Sequence, residues 1–348
     1  MNENSDGARK IRVAINGFGR IGRAFAKIAW DRPEIEIVAV NDLGSLDSLT
    51  YLLKHDTVYR NWNHDVTHDG ANIWIDGKEV HFVSEKDTTK LPWKDLNIDV
   101  VVESTGLFTA YETAQFHIDC GAKKVVISAP AKDGDGTVAG ETILLGVNEE
   151  KFGTCDITSN ASCTTNAASP LIGILHEALG IEKAVLSTTH GYTASQSLVD
   201  GPSKKDLREG RAAAQNIVPS STGAAIAVTK AFPELTGLFD GISLRVPVPA
   251  GSIVDITFIS KRDTSAEEVN QILKTAAASD HWMKLFATTE EPLVSSDILG
   301  ESHASIADLA MTRVIGGNLV KVLGWYDNEM SYTHTLVEHV VKTGKTII

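Results

Sequence analysis

The amino-acid sequence predicts an α/β protein in two parts, a doubly wound parallel sheet followed by an α+β domain. Three observations predict it. Short apolar runs alternate with amphipathic stretches through the first half, a glycine-rich turn separates the first run from the first amphipathic stretch, and long β-rich segments take over beyond Ala184. With 348 residues and 43% hydrophobic content, the chain can bury the cores of two ordinary domains.

Residues 11–15, Ile-Arg-Val-Ala-Ile, read as a buried strand, and residues 23–30 as an amphipathic helix after the turn. A second strand, residues 35–40, ends at Asn41-Asp42. Residues 100–103 and 124–128 add strands of the same short apolar kind, spaced by helical patterns, which implies parallel pairing through crossovers. In the second half, residues 185–189, 241–248 and 253–260 read as strands and residues 265–278 as a helix. Residues 332–342 read as a last helix. No internal repeat or low-complexity segment interrupts this order.

Composition excludes several classes. The apolar runs are far shorter than the ~20 residues of a membrane-spanning helix, and residues 1–10 form a polar tail without the apolar core of a secretory signal. A net charge of -13 opposes general affinity for nucleic-acid phosphates and still permits a local basic pocket for one small anion. The three cysteines, Cys120, Cys155 and Cys163, form no CxxC pair and have no histidine pair at ligand spacing. Neither a disulfide framework nor a metal site is expected, and the pattern suits a reducing cytoplasm.

Gly17-Phe18-Gly19-Arg20-Ile21-Gly22 follows the first strand with GxGxxG spacing, where missing side chains let the backbone turn tightly and approach a diphosphate at a helix N-terminus. Asp42 ends the next strand, where a carboxylate accepts hydrogen bonds from an adenosine ribose. Strand, turn, helix, strand and acid together make a Rossmann-type dinucleotide fingerprint. A carboxylate there repels a 2'-phosphate, which favours NAD over NADP.

Cys163 lies in Ser159-Asn160-Ala161-Ser162-Cys163-Thr164-Thr165-Asn166, ahead of a helical stretch over residues 167–179 that contains Pro170. A helix N-terminus favours a thiolate and makes the sulfur nucleophilic. By position alone, an inert buried thiol is an equal reading. Cys120 and Cys155 lack such surroundings and read as structural.

These segments, with Glu103-Ser104-Thr105-Gly106, Ser128-Ala129-Pro130, Thr188-Thr189-His190, Ser221-Thr222-Gly223-Ala224-Ala225, Leu244-Arg245-Val246-Pro247 and Trp325-Tyr326-Asp327-Asn328-Glu329, resemble phosphorylating glyceraldehyde-3-phosphate dehydrogenases along nearly the whole chain. The resemblance implies an NAD-binding domain over residues 1–162 and 328–348 and a catalytic domain over residues 163–327. It implies that Cys163 attacks the aldehyde of glyceraldehyde 3-phosphate, that His190 is its acid-base partner, and that inorganic phosphate releases the acyl group as an acyl phosphate. By the same resemblance Thr193 and Arg245 receive the substrate phosphate. Ser162, Thr164, Thr222 and Gly223 receive the attacking phosphate, with Arg211 nearby. Gly17, Gly19, Arg20, Ile21 and Gly22 approach the diphosphate, Asp42 the adenosine ribose, and Ser104, Thr105 and Gly106 the ribose side, with Ser128 in the same cofactor set. Asn328 holds the nicotinamide carboxamide, and Pro202 faces the adenosine of a neighbouring subunit in a cytoplasmic homotetramer.

Departures from common family forms are Ala167, Ser331, Gly191 and the pair Tyr59-Arg60. None removes a catalytic group. Two other readings compete. Erythrose-4-phosphate dehydrogenases resemble this chain in cysteine and histidine but lack the motif present here as Thr222-Gly223. A cofactor-binding protein that has lost catalysis, turned to a partner or RNA, conflicts with an intact Cys163, His190 and Arg245 and with the acidic charge.

Overall fold

A computed structural model describes residues 9–132, 134–203 and 206–347. The tail expected over residues 1–10 lies outside these residues except for Arg9 and Lys10. The chain divides into two units, one of residues up to 141 with 150–160 and 336 onward, the other of residues 142–149 and 161–335.

The first unit carries a nine-stranded sheet. Its elements are β1 (Ile11–Asn16), α1 (Arg20–Trp30), β2 (Ile35–Asn41), α2 (Leu46–Lys54), a small hairpin of β3 (His55–Asp56) and β4 (Arg60–Asn61), and the strands β5 (Val66–His68), β6 (Ile73–Ile75) and β7 (Lys78–Val83). They continue with β8 (Val100–Glu103), α3 (Tyr111–Ala114), α4 (Phe116–Asp119), β9 (Lys124–Ile127), β10 (Gly140–Thr142) and β11 (Ile157–Ser159). The spatial order is β10-β11-β9-β8-β1-β2-β7-β6-β5. β1 pairs in parallel with β2 on one side and β8 on the other. The chain therefore leaves β1 in one direction and later returns to its opposite flank, and such a switch point opens a crevice beyond the strand ends. Gly17, Asp42 and Ser104 each follow one of these three strands.

α1 begins at Arg20, three residues before the helix expected from the apolar pattern, because Gly19 caps it directly after the turn. Phe25, Ala26 and Ala29 then face the sheet, fully buried. The sheet residues Ala14, Val38 and Val101 pack with Trp93 and Ile98 in one core, and Val125, Ile127 and Ile157 pack with Ala114 in another.

The second unit opens on α5 (Cys163–Leu179), followed by β12 (Ile181–Gly191), β13 (Val218–Ser221), α6 (Ala224–Ala231), β14 (Phe239–Val246) and β15 (Ser252–Ser260). It ends with α7 (Ala266–Ala277), β16 (Phe286–Thr289), β17 (Ser305–Asp308), β18 (Arg313–Ile315), β19 (Leu319–Tyr326) and α8 (Met330–Lys345), whose C-terminal part belongs to the first unit. The sheet order is β13-β14-β12-β15-β19-β17-β16, with β18 paired to β19. Leu171, Ile172 and Leu175 of α5 pack on Leu186, Val254, Ile256 and Val320. Along β15 buried residues alternate with partly open ones, so one face of the sheet is covered by helices. On neighbouring strands Val185 and Ile242 are exposed.

Two boundaries matter for the site. The helix expected over residues 167–179 starts at Cys163, because Ser162 caps it by accepting a bond from the Thr165 N–H at 3.1 Å. Pro170 stays inside that helix; the Ser169 hydroxyl bonds the Asn166 carbonyl, whose usual partner would be the N–H that proline lacks, at 3.4 Å. The strand expected over residues 185–189 runs to Gly191 and includes His190. No helix among the described residues is long and apolar enough to cross a membrane.

Candidate active site

In the first unit, Asn16, Gly17, Asp42, Ser104 and Thr105 line a cavity of about 450 Å³ with apolar walls from Leu43, Leu91, Leu107 and Phe108. Gly17 has φ +93°, and a Cβ there would lie 2.6 Å from the Thr105 nitrogen. A side chain at Gly22 would meet the Gly17 carbonyl oxygen at 2.2 Å. The two glycines thus allow loop on loop and helix on turn. Asp42 accepts from the Phe18 and Gly44 N–H groups, each at 2.7 Å, which fixes its carboxylate at the rim. The Ser104 hydroxyl bonds the Gly17 carbonyl at 2.7 Å. Ser128 N–H donates to the Glu103 carbonyl at 2.9 Å, one strand further along. Gly106 has φ +72° in the loop after Thr105. Arg20 opens α1 beside Ile21, and its guanidinium pairs with Asp56 at 2.5 Å.

The cavity fits a dinucleotide on the structure's own terms. Two glycines and a helix N-terminus supply bare backbone for a diphosphate, a carboxylate supplies acceptors for ribose hydroxyls, and apolar side chains supply a wall for a purine.

The second unit holds the thiol. Cys163 is the first residue of α5 and remains partly exposed. Its sulfur lies 3.3 Å from His190 Nε2. His190 is the last residue but one of β12, and the parallel register of β12 with β14 sets Arg245 directly beside it. Arg245 Nη1 stands 2.6 Å from His190 Nδ1 and 3.3 Å from the Gly191 carbonyl, while that carbonyl is 2.6 Å from the same Nδ1. A guanidinium N–H only donates. With Nδ1 facing Arg245 as an acceptor, the ring proton sits on Nε2 toward Cys163. With the proton on Nδ1, donated to Gly191, Nε2 can take the thiol proton. The two arrangements exclude each other.

Burial, and after it the Arg245 charge, push the imidazole down to about 3. The thiol moves up from its ordinary value because burial outweighs Arg245 and the Thr164 hydrogen bonds. Dry surroundings thus work against the lowering expected from the helix N-terminus, penalising the thiolate more than the nearby donors favour it. Ala161, two residues ahead, has φ +56° and is fully buried, with its carbonyl held by the Tyr332 hydroxyl at 3.1 Å. A non-glycine residue in that region stores strain next to the nucleophile.

The residues expected to receive the two phosphates are spread over several elements. The Thr164 hydroxyl turns inward to the Tyr326 hydroxyl at 2.9 Å, which also bonds Thr188 at 2.8 Å. The Thr193 N–H donates to Gln196 Oε1 at 3.3 Å. The Thr222 hydroxyl accepts from the Ala224 N–H at 3.2 Å at the start of α6, where Gly223 is the cap. Arg211 pairs with Asp200 at 3.0 Å, and Pro202 is exposed in the loop between them. Among the described residues no hydrogen bond links Arg211, Thr222 or Gly223 to Cys163 or His190. Asn328 Oδ1 accepts from the Ser252 hydroxyl at 2.8 Å, and Ser252 also accepts the Gly191 N–H at 3.1 Å. Sequence reasoning assigned no role to Tyr326, Ser252 or Ala161. Only sheet register brings the first two to the site, and no sequence signal marks a strained alanine.

Comparison with known proteins identifies the family. Residues 11–111 match the family model described as the NAD binding domain of glyceraldehyde 3-phosphate dehydrogenase, and residues 162–328 match that of its C-terminal domain. The chain is 47% identical over 340 residues to glyceraldehyde-3-phosphate dehydrogenase 2 of Streptomyces avermitilis, covering 97% of this chain and 99% of the relative. It is 46% identical over 338 residues to glyceraldehyde-3-phosphate dehydrogenase 3 of Saccharomyces cerevisiae, covering 95% and 99%. It is likewise 46% identical over 330 residues to the glyceraldehyde-3-phosphate dehydrogenase of Geobacillus stearothermophilus, covering 94% and 96%. The chain belongs to the glyceraldehyde-3-phosphate dehydrogenase family.

Proposed function

We propose that the protein oxidises glyceraldehyde 3-phosphate to 1,3-bisphosphoglycerate with NAD and inorganic phosphate, through a thioester on Cys163. The observation that carries this reading is the 3.3 Å approach of Cys163 Sγ to His190 Nε2 at the N-terminus of α5. Attack of the Cys163 sulfur on the aldehyde carbon is coupled to transfer of the thiol proton to Nε2. The new C–S bond leaves an oxyanion that takes its proton back from the imidazolium and lies near the N–H groups opening α5. His190 then removes the hydroxyl proton as the C–H bond breaks. NAD, when bound, supplies the hydride acceptor. The resulting thioester is attacked by phosphate, the C–S bond breaks, and the electron pair returns to sulfur.

Arg245 supports binding of the substrate phosphate, with Thr193 on the loop after β12. A phosphate that draws the guanidinium off Nδ1 leaves that nitrogen to donate to Gly191, which is the arrangement in which Nε2 acts as a base. Ser162, Thr164, Thr222, Gly223 and Arg211 remain the proposed donors for the attacking phosphate. Gly17, Gly19, Arg20, Ile21, Gly22, Asp42, Ser104, Thr105, Gly106, Ser128 and Asn328 are the proposed cofactor residues, in a cofactor domain of residues 1–162 and 328–348. Exposed Val185 and Ile242 on the uncovered sheet face support self-association, which we take to a homotetramer with Pro202 near a second subunit. The free cysteines support a reducing, cytoplasmic location.

Incubation with NAD and glyceraldehyde 3-phosphate without inorganic phosphate, followed by peptide mass analysis, should show an acyl adduct on Cys163. An adduct elsewhere, or none while the aldehyde is oxidised, contradicts the thioester route.

A further inference from the structure

Glu103 ends β8 beneath the two loops that wall the dinucleotide cavity, and it is 2% exposed. Asn16 Nδ2 donates to its Oε2 at 2.6 Å. The Thr105 N–H, at 2.8 Å, and the Thr105 hydroxyl both donate to Oε1. A fourth group comes from behind, where Nε2 of the fully buried His117 lies 3.0 Å from Oε2. Behind His117, the Trp93 indole N–H donates to Nδ1 at 2.9 Å. An indole N–H can only donate, so Nδ1 carries the lone pair and the ring proton sits on Nε2. That proton is given to Glu103. The tryptophan thus selects the tautomer, and the two oxygens of the carboxylate receive four donors.

The network reaches the cavity and ends there. Asn16 Oδ1 accepts from Asn41 Nδ2 at 2.7 Å, and Asn41 Oδ1 accepts from the Glu85 N–H at 2.9 Å. Asn16, Asn41, Glu85 and Thr105 all line the cavity, whereas Trp93, His117 and Glu103 do not. A buried carboxylate costs several kcal/mol unless its donors are well placed, and an apolar residue of similar volume avoids that cost. Two of the donor residues here, Asn16 at the end of β1 and Thr105 in the loop after β8, flank the place where the two loops pack backbone to backbone at Gly17. Burial pushes His117 down from the ordinary histidine value, so the ring keeps its donor-acceptor sense.

We propose that Trp93 and His117 are positioning residues that act through Glu103, holding Asn16 and Thr105 in the geometry that receives NAD. The inference rests on the dinucleotide reading given above. Pre-organising a site removes an ordering cost from binding, so losing the network weakens cofactor affinity rather than the chemistry at Cys163.

The test uses the full chain and two readouts: NAD affinity by calorimetry, and the rate at which iodoacetamide alkylates Cys163 without cofactor. His117→Phe keeps the ring volume and removes both nitrogens; we expect NAD binding to weaken by about tenfold, the worth of one strong hydrogen bond. His117→Gln restores a donor toward Glu103 and should return affinity to within about threefold of wild type. In steady state, His117→Phe should raise KM for NAD with kcat at saturating NAD retained, and alkylation should stay within about twofold of wild type. Wild-type NAD affinity in His117→Phe, or parallel loss of affinity and alkylation, overturns the proposal. If that variant does not fold, Trp93→Phe decides, because it deletes one N–H: weaker NAD binding with normal alkylation supports the proposal, and unchanged binding overturns it. Failure of the wild type itself to bind NAD would instead overturn the dinucleotide reading.

Discussion

Arg245 Nη1 stands 2.6 Å from Nδ1 of His190, on the ring nitrogen opposite the one that meets Cys163. The parallel pairing of β14 with β12 sets the two residues side by side, so the cation bears directly on where the imidazole keeps its proton. Arg245→Leu should raise the His190 titration midpoint above about 3, as read by imidazole nitrogen NMR. It should also lower kcat/KM for the phosphorylated aldehyde by about 10- to 100-fold, the range expected for one charged hydrogen bond, with a much smaller loss for an unphosphorylated aldehyde. Equal losses for both aldehydes contradict a phosphate-binding role.

His190→Asn keeps a polar side chain and removes the base. Proton transfer by a placed side chain contributes roughly 10²- to 10⁴-fold, so kcat should fall by about that factor. Tight NAD binding should survive, because His190 does not line the cavity. Calorimetry beside steady-state rates separates the two effects.

Asp42 accepts two backbone N–H groups at the cavity rim, and in the proposed function its charge meets the adenosine ribose. Asp42→Ala should raise KM for NAD by about tenfold and improve NADP relative to NAD by at least that factor, since the repulsion of a 2'-phosphate disappears. Rates with the two cofactors at matched concentration give the ratio, and an unchanged ratio rules out Asp42 as the discriminating group.

Tyr326 shares its buried hydroxyl between Thr164 and Thr188. Tyr326→Phe leaves the Thr164 hydroxyl without that partner while Thr188 keeps the Ile253 carbonyl at 3.2 Å. The expected cost is about 1–3 kcal/mol of stability in denaturant unfolding. No change in the unfolding midpoint would mean that the hydroxyl contributes nothing net.

His339 is fully buried between the Thr158 hydroxyl at 2.8 Å and Asn160 Oδ1 at 3.2 Å, and burial pushes its imidazole down to about 3. Its folded value lies below the unfolded value of about 6.5, so the unfolded chain takes the proton first on acidification. Its contribution is complete above about pH 6.5 and is lost as pH falls toward 3. His339→Gln should flatten the acid-side decline by about 1.4 kcal/mol per pH unit per proton. Chemical denaturation at several pH values below 6.5 measures the slope, and equal slopes for the two proteins contradict a neutral buried ring.

Local grammar carried the sequence reading a long way. The turn from Gly17 to Gly22, the acid at Asp42 and the Ser162 cap act over a few residues, and their spacing is visible in one chain. The contacts that finish the sites are long-range. Arg245 reaches His190 across two strands, Tyr326 reaches Thr164 from the far end of the unit, and Trp93, His117 and Glu103 meet from a loop, a helix and a strand. Sheet register decides those meetings, and periodicity does not encode which strand lies beside which. The thiol shows a second limit. A helix N-terminus is legible, but the dryness that raises Cys163 depends on neighbours supplied by the whole fold.

A thioester on Cys163 that only phosphate can release makes the oxidation depend on phosphate. The most direct test follows the appearance of reduced nicotinamide with glyceraldehyde 3-phosphate and NAD, with and without inorganic phosphate, in the wild type and in Cys163→Ser. Sustained turnover with phosphate, a single slow round without it, and none in the variant are expected. Sustained turnover without phosphate, or any sustained turnover in Cys163→Ser, would contradict it.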